Sequence, residues 1–367
     1  MQVHTNRSRP RSSNPDITPD GILVLDGYGL AVSVERGHLT YRDGFGRQRR
    51  TGRVSRAAGR LKRLVVIGHS GFVTFEALRW LHGVGASFIH LDTDGTLFQV
   101  SARRGLDDAR LRRAQAIAGG TERGIGIARD LIRHKLEGQA RVLRELGSAG
   151  EVVESAFAIW PARLDAAASE KEIRLVEARA AAVYWSVWSD LPLRFRSQDV
   201  PDHWRTFGAR GSLLTGSPRK ATNPANAILN YLYALLEAEC TIACHVMGLD
   251  PGFGFLHADL AARASLSMDL MEAARPRLDE QVLDVLRSWT FEPKEFAETA
   301  DGQCRLTAPL ARSLATLCGD ASDWIGPHAE AIAQSLVGPS RRLPTRLTES
   351  NRADGRAAMK GGVARRQ

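Results

Sequence analysis

The stretch GILVLDGYGLAVSVERGHLTYRDG, residues 21–44, holds three short runs of strand-forming residues separated by glycines. Three more runs of this kind follow, RLVVIG (63–68), ASFIHLDTDG (86–95) and TLFQVS (96–101). Short apolar runs with evenly spaced turn residues are typical of β-strands joined by turns. Residues 21–105 are therefore predicted to form a small β-rich domain.

The pattern becomes helical after Leu106 and stays helical to about Leu336, as in ARLRRAQAIA (109–118) and IARDLIRHKLEGQARVLREL (127–146). One helix is predicted inside the N-terminal domain, TFEALRWLHGVG, with Thr74 as its N-cap and Gly83 or Gly85 as its stop. The predicted fold class is α+β, with a small N-terminal β-rich domain followed by a larger all-helical domain over residues 106–340.

The two ends of the chain differ in composition from the rest. Residues 1–20 mix Arg, Ser, Pro and Asn, and residues 341–367 carry eight Lys or Arg against two acids. They are predicted to be a disordered arm and a flexible basic tail. The N-terminus lacks the apolar segment of a signal peptide, and no apolar run approaches the length of a membrane span. We expect a cytoplasmic protein with no membrane partner, whose four cysteines are core residues in a reducing compartment.

Positive charge is in excess and is clustered. The chain has 50 Lys and Arg against 41 Asp and Glu, a net charge of +9, and a pI near 9.8. The run RQRRTGRVSRAAGRLKR, residues 47–63, contains eight basic residues and no acid. Such a run suits a polyanion such as DNA, and Arg49, Arg50 and Arg53 are candidate contacts. The alternative is a solvated loop with no ligand.

The segment GFGFLHADLAARASLSMDLMEAARP, residues 252–276, contains a histidine in an apolar run and a carboxylate pair, Asp269 and Glu272, further on. On one uninterrupted helix His257 and Glu272 would be about 22 Å apart. Either the chain reverses between them, or they never meet. Asp269 and Glu272 are three residues apart and share a helix face. The residues alone also allow a core or capping histidine followed by an amphipathic helix with solvated acids.

Two amides, Asn226 and Asn230, lie four residues apart in the apolar helix NPANAILNYLYALLEAECTIACHVMG, residues 223–248. Asn223 or Thr222 is its candidate cap, and Pro224 suits its first turn. Amides among apolar neighbours need hydrogen-bond partners. They either bond to neighbouring backbone or line a polar site and orient its ligands.

These motifs resemble the CRISPR-associated endonuclease and integrase family, whose members form the larger subunit of the spacer-acquisition complex. The helix at 223–248, the GFLH pattern and the DLxExxRP pattern carry the resemblance, which covers about residues 21–320. It implies that His257 and Glu272 are catalytic residues and metal ligands. EARAAAVYW, residues 177–185, resembles the family's first acidic helix and makes Glu177 the third, although Ala178 stands where the family has glycine.

The resemblance also implies a reaction. The 3′-hydroxyl of a short DNA fragment attacks a phosphodiester at a CRISPR repeat, in the helical domain, with Mg²⁺ or Mn²⁺ as cofactor. One imidazole and two carboxylates form a mixed nitrogen and oxygen set that suits either ion. Asp269, one turn before Glu272, would orient a ligand or add one. The implied partners are double-stranded DNA, as fragment and as repeat target, a second copy joined through the β-rich domain, and a small CRISPR-associated subunit.

Three alternatives remain open at the level of sequence. A casposase-like transposon integrase uses the same catalytic domain, and only genomic context separates it from spacer acquisition. A catalytically silent DNA-binding scaffold would need the basic surfaces, yet it has no need for an intact Glu177, His257 and Glu272 set. A metal hydrolase acting on small substrates fits the ligands but not the positive charge.

Overall fold

The computed structural model describes residues 16–44, 46, 49–56, 61–102, 105, 107–210, 220–257 and 263–338, with side chains described for all of these except 148–152. Most of the predicted arm at 1–20 and the whole predicted tail at 341–367 lie outside these ranges. So do residues 47–48 and 57–60 of the basic run.

Eight strands lie in the described part of the N-terminal region. They are β1 Ile22–Asp26, β2 Leu30–Glu35, β3 His38–Asp43, β4 Arg50–Val54, β5 Arg63–Ile67, β6 Gly71–Val73, β7 Ser87–Leu91 and β8 Leu97–Ser101. The six predicted runs all form strands, whereas β4 and β6 were not predicted. β4 falls inside the basic run, so that part of the run is a strand and not a loop.

The eight strands form two four-stranded sheets. The first has the order β1-β5-β7-β8, with β8 antiparallel to the other three, and the second has the order β4-β3-β2-β6. Helix α1, Phe75–Val84, connects β6 to β7. Its predicted caps are confirmed, because the Thr74 side chain accepts a hydrogen bond from the Ala77 N–H and the helix ends at Gly85 with φ of 75°. A positive φ is accessible to glycine without steric cost.

Strands β1, β5 and β7 of the first sheet are buried on both faces. Successive residues of a strand point to opposite faces. In β1, Ile22 and Val24 belong to the large core of the helical region, whereas Leu23 and Leu25 belong to a second core between the two sheets and α1. The continuous apolar run of β1 follows from this double burial. The sheet therefore joins the β-rich region to the helical one.

Nine helices lie in the described part of the chain after residue 105. They are α2 Ala109–Ala118, α3 Glu122–Glu145, α4 Ser148–Phe157, α5 Trp160–Ala166, α6 Glu170–Ser186, α7 Pro224–Met247, α8 Ser265–Ser288, α9 Ala308–Ala315 and α10 Ala321–Val337. Four strands of two or three residues also occur there: β9 Arg194–Phe195, β10 Thr290–Phe291, β11 Phe296–Glu298 and β12 Cys304–Leu306. The α+β class is confirmed, but the second region is not entirely helical. Its four strands were not predicted, because strands this short leave no alternating pattern in the sequence.

Helix α7 forms the centre of the large core and packs most extensively against α8. Among the described helices it alone is long and apolar enough to cross a membrane, but 89% of its apolar window is buried inside the protein. Arg63 of β5 donates two hydrogen bonds to Glu239 of α7, at 2.5 and 2.7 Å, across the junction between the two regions. All four cysteines are free and buried, as expected for core residues.

Candidate active site

Two acidic side chains from separate helices meet at one lysine. Glu177 comes from α6, which begins at the Ser169 cap, and Glu272 comes from α8. Lys135 of α3 lies between them, and its Nζ donates to Glu177 Oε1 and to Glu272 Oε2, the latter at 2.5 Å. Lys135 is only 4% exposed, whereas the Glu177 side chain is 23% exposed. The site is therefore open to solvent on the side of Glu177.

A second cation completes the neutralisation of Glu272. Arg275, one turn later on α8, donates to the other carboxylate oxygen, Oε1. Burial alone would raise the pKa of Glu272, but Arg275 and Lys135 lower it to about 2. For Lys135 the effects have the opposite sign. Burial alone would lower its pKa, but the carboxylates of Glu272 and Glu177 outweigh the effect of burial and raise that pKa. Glu272, Arg275 and Lys135 are therefore all charged at neutral pH.

His257 is anchored by Asp269, which comes from the first turns of α8. The Asp269 Oδ1 atom accepts from the His257 backbone N–H at 3.0 Å and lies 2.6 Å from the ring Nδ1. Its Oδ2 atom accepts from the N–H groups of Phe255 and Leu256 at 2.5 and 3.0 Å. A ring whose Nδ1 is bonded to a carboxylate has its Nε2 left for a ligand. Asp269 therefore holds the His257 ring in one orientation, and its role beside a metal ion stays a prediction.

The loop before His257 is fastened at both ends. Buried Gln115 of α2 donates to the carbonyls of Asp250 and Phe253, at 2.8 and 2.9 Å, and accepts from the Asp250 N–H. At Gly254 a Cβ would lie 3.0 Å from Asp269 Oδ2 and 2.8 Å from Ser265 Cβ, so only glycine fits there. The histidine is thus held by a packed loop and not by a helix.

The chain does reverse between His257 and Glu272. Helix α8 begins at Ser265, and its fifth residue, Asp269, contacts the loop at 255–257, whereas residues 258–262 lie outside the described ranges. His257 is close enough to Glu272 for a positive charge on its ring to lower the pKa of that carboxyl. Asp269 and Glu272 are buried, so the alternative interpretation of a core or capping histidine followed by a helix with solvated acids is excluded.

The fit to a metal ion depends on Lys135. Within the described ranges, no three His, Cys, Asp or Glu side chains are placed to hold an ion as they stand. The lysine ammonium takes the position between Glu177 and Glu272. The donor set nevertheless suits a divalent cation, because two carboxylates already share one cation and His257 is held through Nδ1. That these three residues ligate a metal stays a prediction.

A family model described as CRISPR associated protein Cas1 matches residues 23–318. The chain belongs to the Cas1 family. A CRISPR-associated endonuclease Cas1 from Archaeoglobus fulgidus is 30% identical, over 80% of this chain and 85% of its own length. Another from Pyrobaculum aerophilum is 27% identical, over 86% of this chain and 98% of its own length.

Solved structures agree with this assignment. A casposase bound to integration product superimposes with a TM-score of 0.72 at 26% identity, covering 89% of this chain and 93% of the casposase. A Cas1 protein from Thermotoga maritima has a TM-score of 0.68 at 17% identity, covering 88% and 99%, and shares the fold. The resemblance, the fold class and the class of enzyme predicted from the sequence, a DNA endonuclease and integrase, are confirmed.

The two asparagines of this Cas1 chain lie in different surroundings. Asn226 donates to the carbonyls of Phe207 and Ala209, at 2.9 and 3.1 Å, and accepts from Arg210. It fastens that loop to α7, so the alternative of bonding to neighbouring backbone is the one observed. Asn230 lines a cavity of about 50 Å³ shared with Asp26 of the N-terminal region. That either asparagine orients a metal ligand stays a prediction.

A buried network lies behind the Cas1 site and was not predicted. Asp279 of α8 accepts from the hydroxyls of Tyr233 and Tyr184, at 2.6 and 3.0 Å. Arg275 lies over the Tyr233 ring, 5.0 Å from its centroid. Burial raises the pKa of Asp279 to about 6, against the opposing effect of the two hydrogen bonds. The network holds Arg275, and through it Glu272, in place.

The three candidate DNA contacts differ in their surroundings. Arg50 donates to Asp43 at 2.8 Å and to Asp16 at 3.0 Å, so its charge is already used within the N-terminal region. Arg49 is exposed, and Arg53 is exposed beside His38. Arg50 therefore already has acidic partners within the protein, and contact of Arg49, Arg50 and Arg53 with DNA stays a prediction.

Proposed function

We propose that this chain is a metal-dependent Cas1 integrase that inserts short DNA fragments into a CRISPR array, with the 3′-hydroxyl of the fragment attacking a phosphodiester bond. The supporting observation is the meeting of Glu177 and Glu272 at one cation, with His257 anchored beside them. Magnesium and manganese are the proposed ions, because both accept this mixed donor set.

The residues of the site divide into proposed metal ligands and residues that position them. Glu177, His257 and Glu272 would hold the ion, which when bound polarises the phosphodiester and favours loss of the proton from the attacking hydroxyl. Asp269 keeps the imidazole in one orientation, so that Nε2 need not be reoriented during the reaction. Arg275 fixes the Glu272 carboxylate and supplies a fixed positive charge near the reacting phosphate. No covalent intermediate on the protein is required.

The partners follow from the same proposal. The casposase structure is bound to an integration product, which supports DNA as the substrate class here. Part of one chain of a Cas6-RT-Cas1–Cas2 complex shares the fold, with a TM-score of 0.63 at 18% identity over 84% of this chain and 33% of that one. A small CRISPR-associated partner, a homodimer and a cytoplasmic location remain part of the proposal.

The casposase-like alternative has the structural likeness in its favour. The curated relatives, however, are named CRISPR-associated endonucleases, and the family model is that of Cas1. The two activities differ in target. An integration assay that compares plasmids with and without a CRISPR repeat separates them, because a spacer integrase inserts at the repeat boundary.

The test of the proposal is strand transfer from a labelled short duplex into a supercoiled plasmid with Mn²⁺ or Mg²⁺, with and without a candidate partner. The variants Glu177→Gln, His257→Ala and Glu272→Gln should lose transfer at least about a hundredfold and keep DNA affinity within a few-fold. Glu280→Gln, an exposed change on the same helix α8, is the control. Transfer that survives in the three variants contradicts the assigned chemistry.

A further inference from the structure

Lys135 occupies the position that the proposed metal ion would need. Its ammonium contacts both Glu177 and Glu272 from a buried position on α3. We propose that Lys135 is a displaceable counter-ion, which holds the two carboxylates together in the metal-free enzyme, opposes metal binding in the absence of DNA, and so makes metal and DNA binding cooperative. The inference rests on the proposed function, because it presumes that the two glutamates are metal ligands.

The two glutamates are neutralised without a metal. Glu177 and Glu272 carry two negative charges, and Lys135 and Arg275 carry two positive ones. A divalent cation would add two positive charges to a largely buried cluster, where like charges repel more strongly than in water. Metal binding therefore requires either that a cation moves away or that an anion arrives. A DNA phosphodiester is such an anion.

Lys135 is the cation that can move. Its charge sits on a flexible four-carbon chain, whereas Arg275 is held over the Tyr233 ring and lies one turn from the carboxylate it contacts. The Lys135 backbone is fixed, because Gly138 lets α3 approach Pro276 of α8 closely. The ammonium can thus swing toward the exposed side of Glu177 without a change in the helices. There a bound phosphate would be its new partner.

Cooperativity follows from this exchange. If a DNA phosphate gives the Lys135 ammonium an alternative partner, DNA lowers the free energy needed to move that ammonium away from Glu177 and Glu272 so that the ion can bind them. By thermodynamic linkage, the ion then raises DNA affinity by the same factor. The enzyme would bind its metal weakly at rest and tightly on its substrate, which restricts nuclease activity to assembled complexes.

Metal affinity in the absence of DNA gives the first test. Binding of Mn²⁺ is measured by electron paramagnetic resonance of the free ion, for the full chain and for Lys135→Met. The variant should bind Mn²⁺ about tenfold tighter or more, since typical coupling factors are about 5 to 150. Its metal-free melting temperature should fall, and Mn²⁺ should restore it. Lys171→Met, which removes an exposed positive charge from α6, should leave both quantities unchanged.

Addition of DNA gives the second test. With a short duplex blocked at its 3′-ends, the wild-type protein should bind Mn²⁺ several-fold tighter than without DNA. The increase in Mn²⁺ affinity on addition of DNA should be smaller for Lys135→Met. Lys135→Gln, which keeps a polar chain of similar length, repeats both measurements if the methionine variant does not fold. The wild-type comparison with and without DNA needs no variant.

The outcomes separate the inference from the proposed function. Equal Mn²⁺ affinity in the wild type and in the Lys135 variants, or no effect of DNA on wild-type affinity, overturns the counter-ion role and leaves the metal site standing. If Glu177→Gln does not weaken Mn²⁺ binding in any background, the metal site itself is wrong, and the inference falls with it.

Discussion

Asp269 is the residue on which the geometry of His257 depends, because a single carboxylate accepts from three successive backbone N–H groups and faces the imidazole. We expect Asp269→Asn to lower strand transfer about 10- to 100-fold, since an amide cannot serve all of these donors and loss of a ligand's orienting partner has effects of this size. Initial rates of integration measure it. Asp284→Asn, exposed on the same helix, is the control, and an unaffected rate in Asp269→Asn contradicts the orienting role.

Asp279 should make stability depend on pH in an unusual direction. Burial raises its pKa to about 6 in the folded protein, above the ordinary 3.8. The contribution to stability is therefore present below about pH 4 and is lost as pH rises through about 6. Relative to wild type, Asp279→Asn should gain up to roughly 3 kcal/mol between pH 4 and pH 7. Urea unfolding of both proteins measures the difference, and a difference that does not change with pH contradicts it.

At this scale the sequence predicted the acids and the histidine but not the cations around them. The resemblance supplied Glu177, His257 and Glu272, and helix spacing placed Asp269 beside Glu272. Lys135 had a detectable signal, because it falls on the apolar face of α3 between Leu131 and Gln139, where a lysine needs a buried partner. Which carboxylates it meets depends on how α3, α6 and α8 pack, and spacing within one helix cannot supply that.

Helices α3 and α8, which carry Lys135 and Glu272, approach each other closely at Gly138. At Gly138 a Cβ would lie 2.5 Å from the Pro276 Cβ, so the helices would have to separate, whereas Gly126 on the same helix faces open space. Gly138→Ala should cost about 1–3 kcal/mol, and Gly126→Ala should gain about 0.5–1 kcal/mol. Chemical denaturation of the two variants measures this. Equal effects at the two positions would mean that helix propensity, and not the contact, dominates.

Among the elements, strands with apolar runs were predictable and those without were not. Five of the six predicted strands bury apolar side chains fully, as in RLVVI of β5, and β8 packs Leu97 and Val100, partly buried, against the large core. β4, with the sequence RTGRV, buries only Val54 and is held by pairing with β3. β6 has three residues and a glycine at its start. Backbone pairing with a neighbour made these strands, and pairing leaves little trace in a single sequence.

At the scale of the whole molecule, the exposed edge of the second sheet is the expected surface for a second copy. Phe72 of edge strand β6 is 57% exposed, and Phe75 is 90% exposed. Exposed aromatic residues beside an unpaired edge favour association. We expect a dimer at micromolar concentration by light scattering, and a shift toward monomer in Phe72→Ser with Phe75→Ser. Ile117→Ser on α2 is the control. A monomeric wild type contradicts the homodimer.

DNA affinity should fall steeply with salt. Replacing Arg49 and Arg53 with Ala should lower the slope of log affinity against log salt by up to about 2, since each phosphate contact contributes about 0.9. The specificity of the insertion site should not change, because phosphate contacts do not read sequence. Filter binding at several salt concentrations measures it. An unchanged slope moves the search to the helical region and to the tail from Arg341.

The first sheet has a consequence for how this architecture can be inherited. Its two faces belong to different cores, with Ile22 and Val24 on one side and Leu23 and Leu25 on the other. A sheet from another relative would bring a foreign surface to the helices, even if its own strands paired well. The helix-facing residues of the strands and the residues they meet must therefore change together during evolution. Recombination that cuts near residue 105 should produce viable hybrids only between parents that share both halves of this contact.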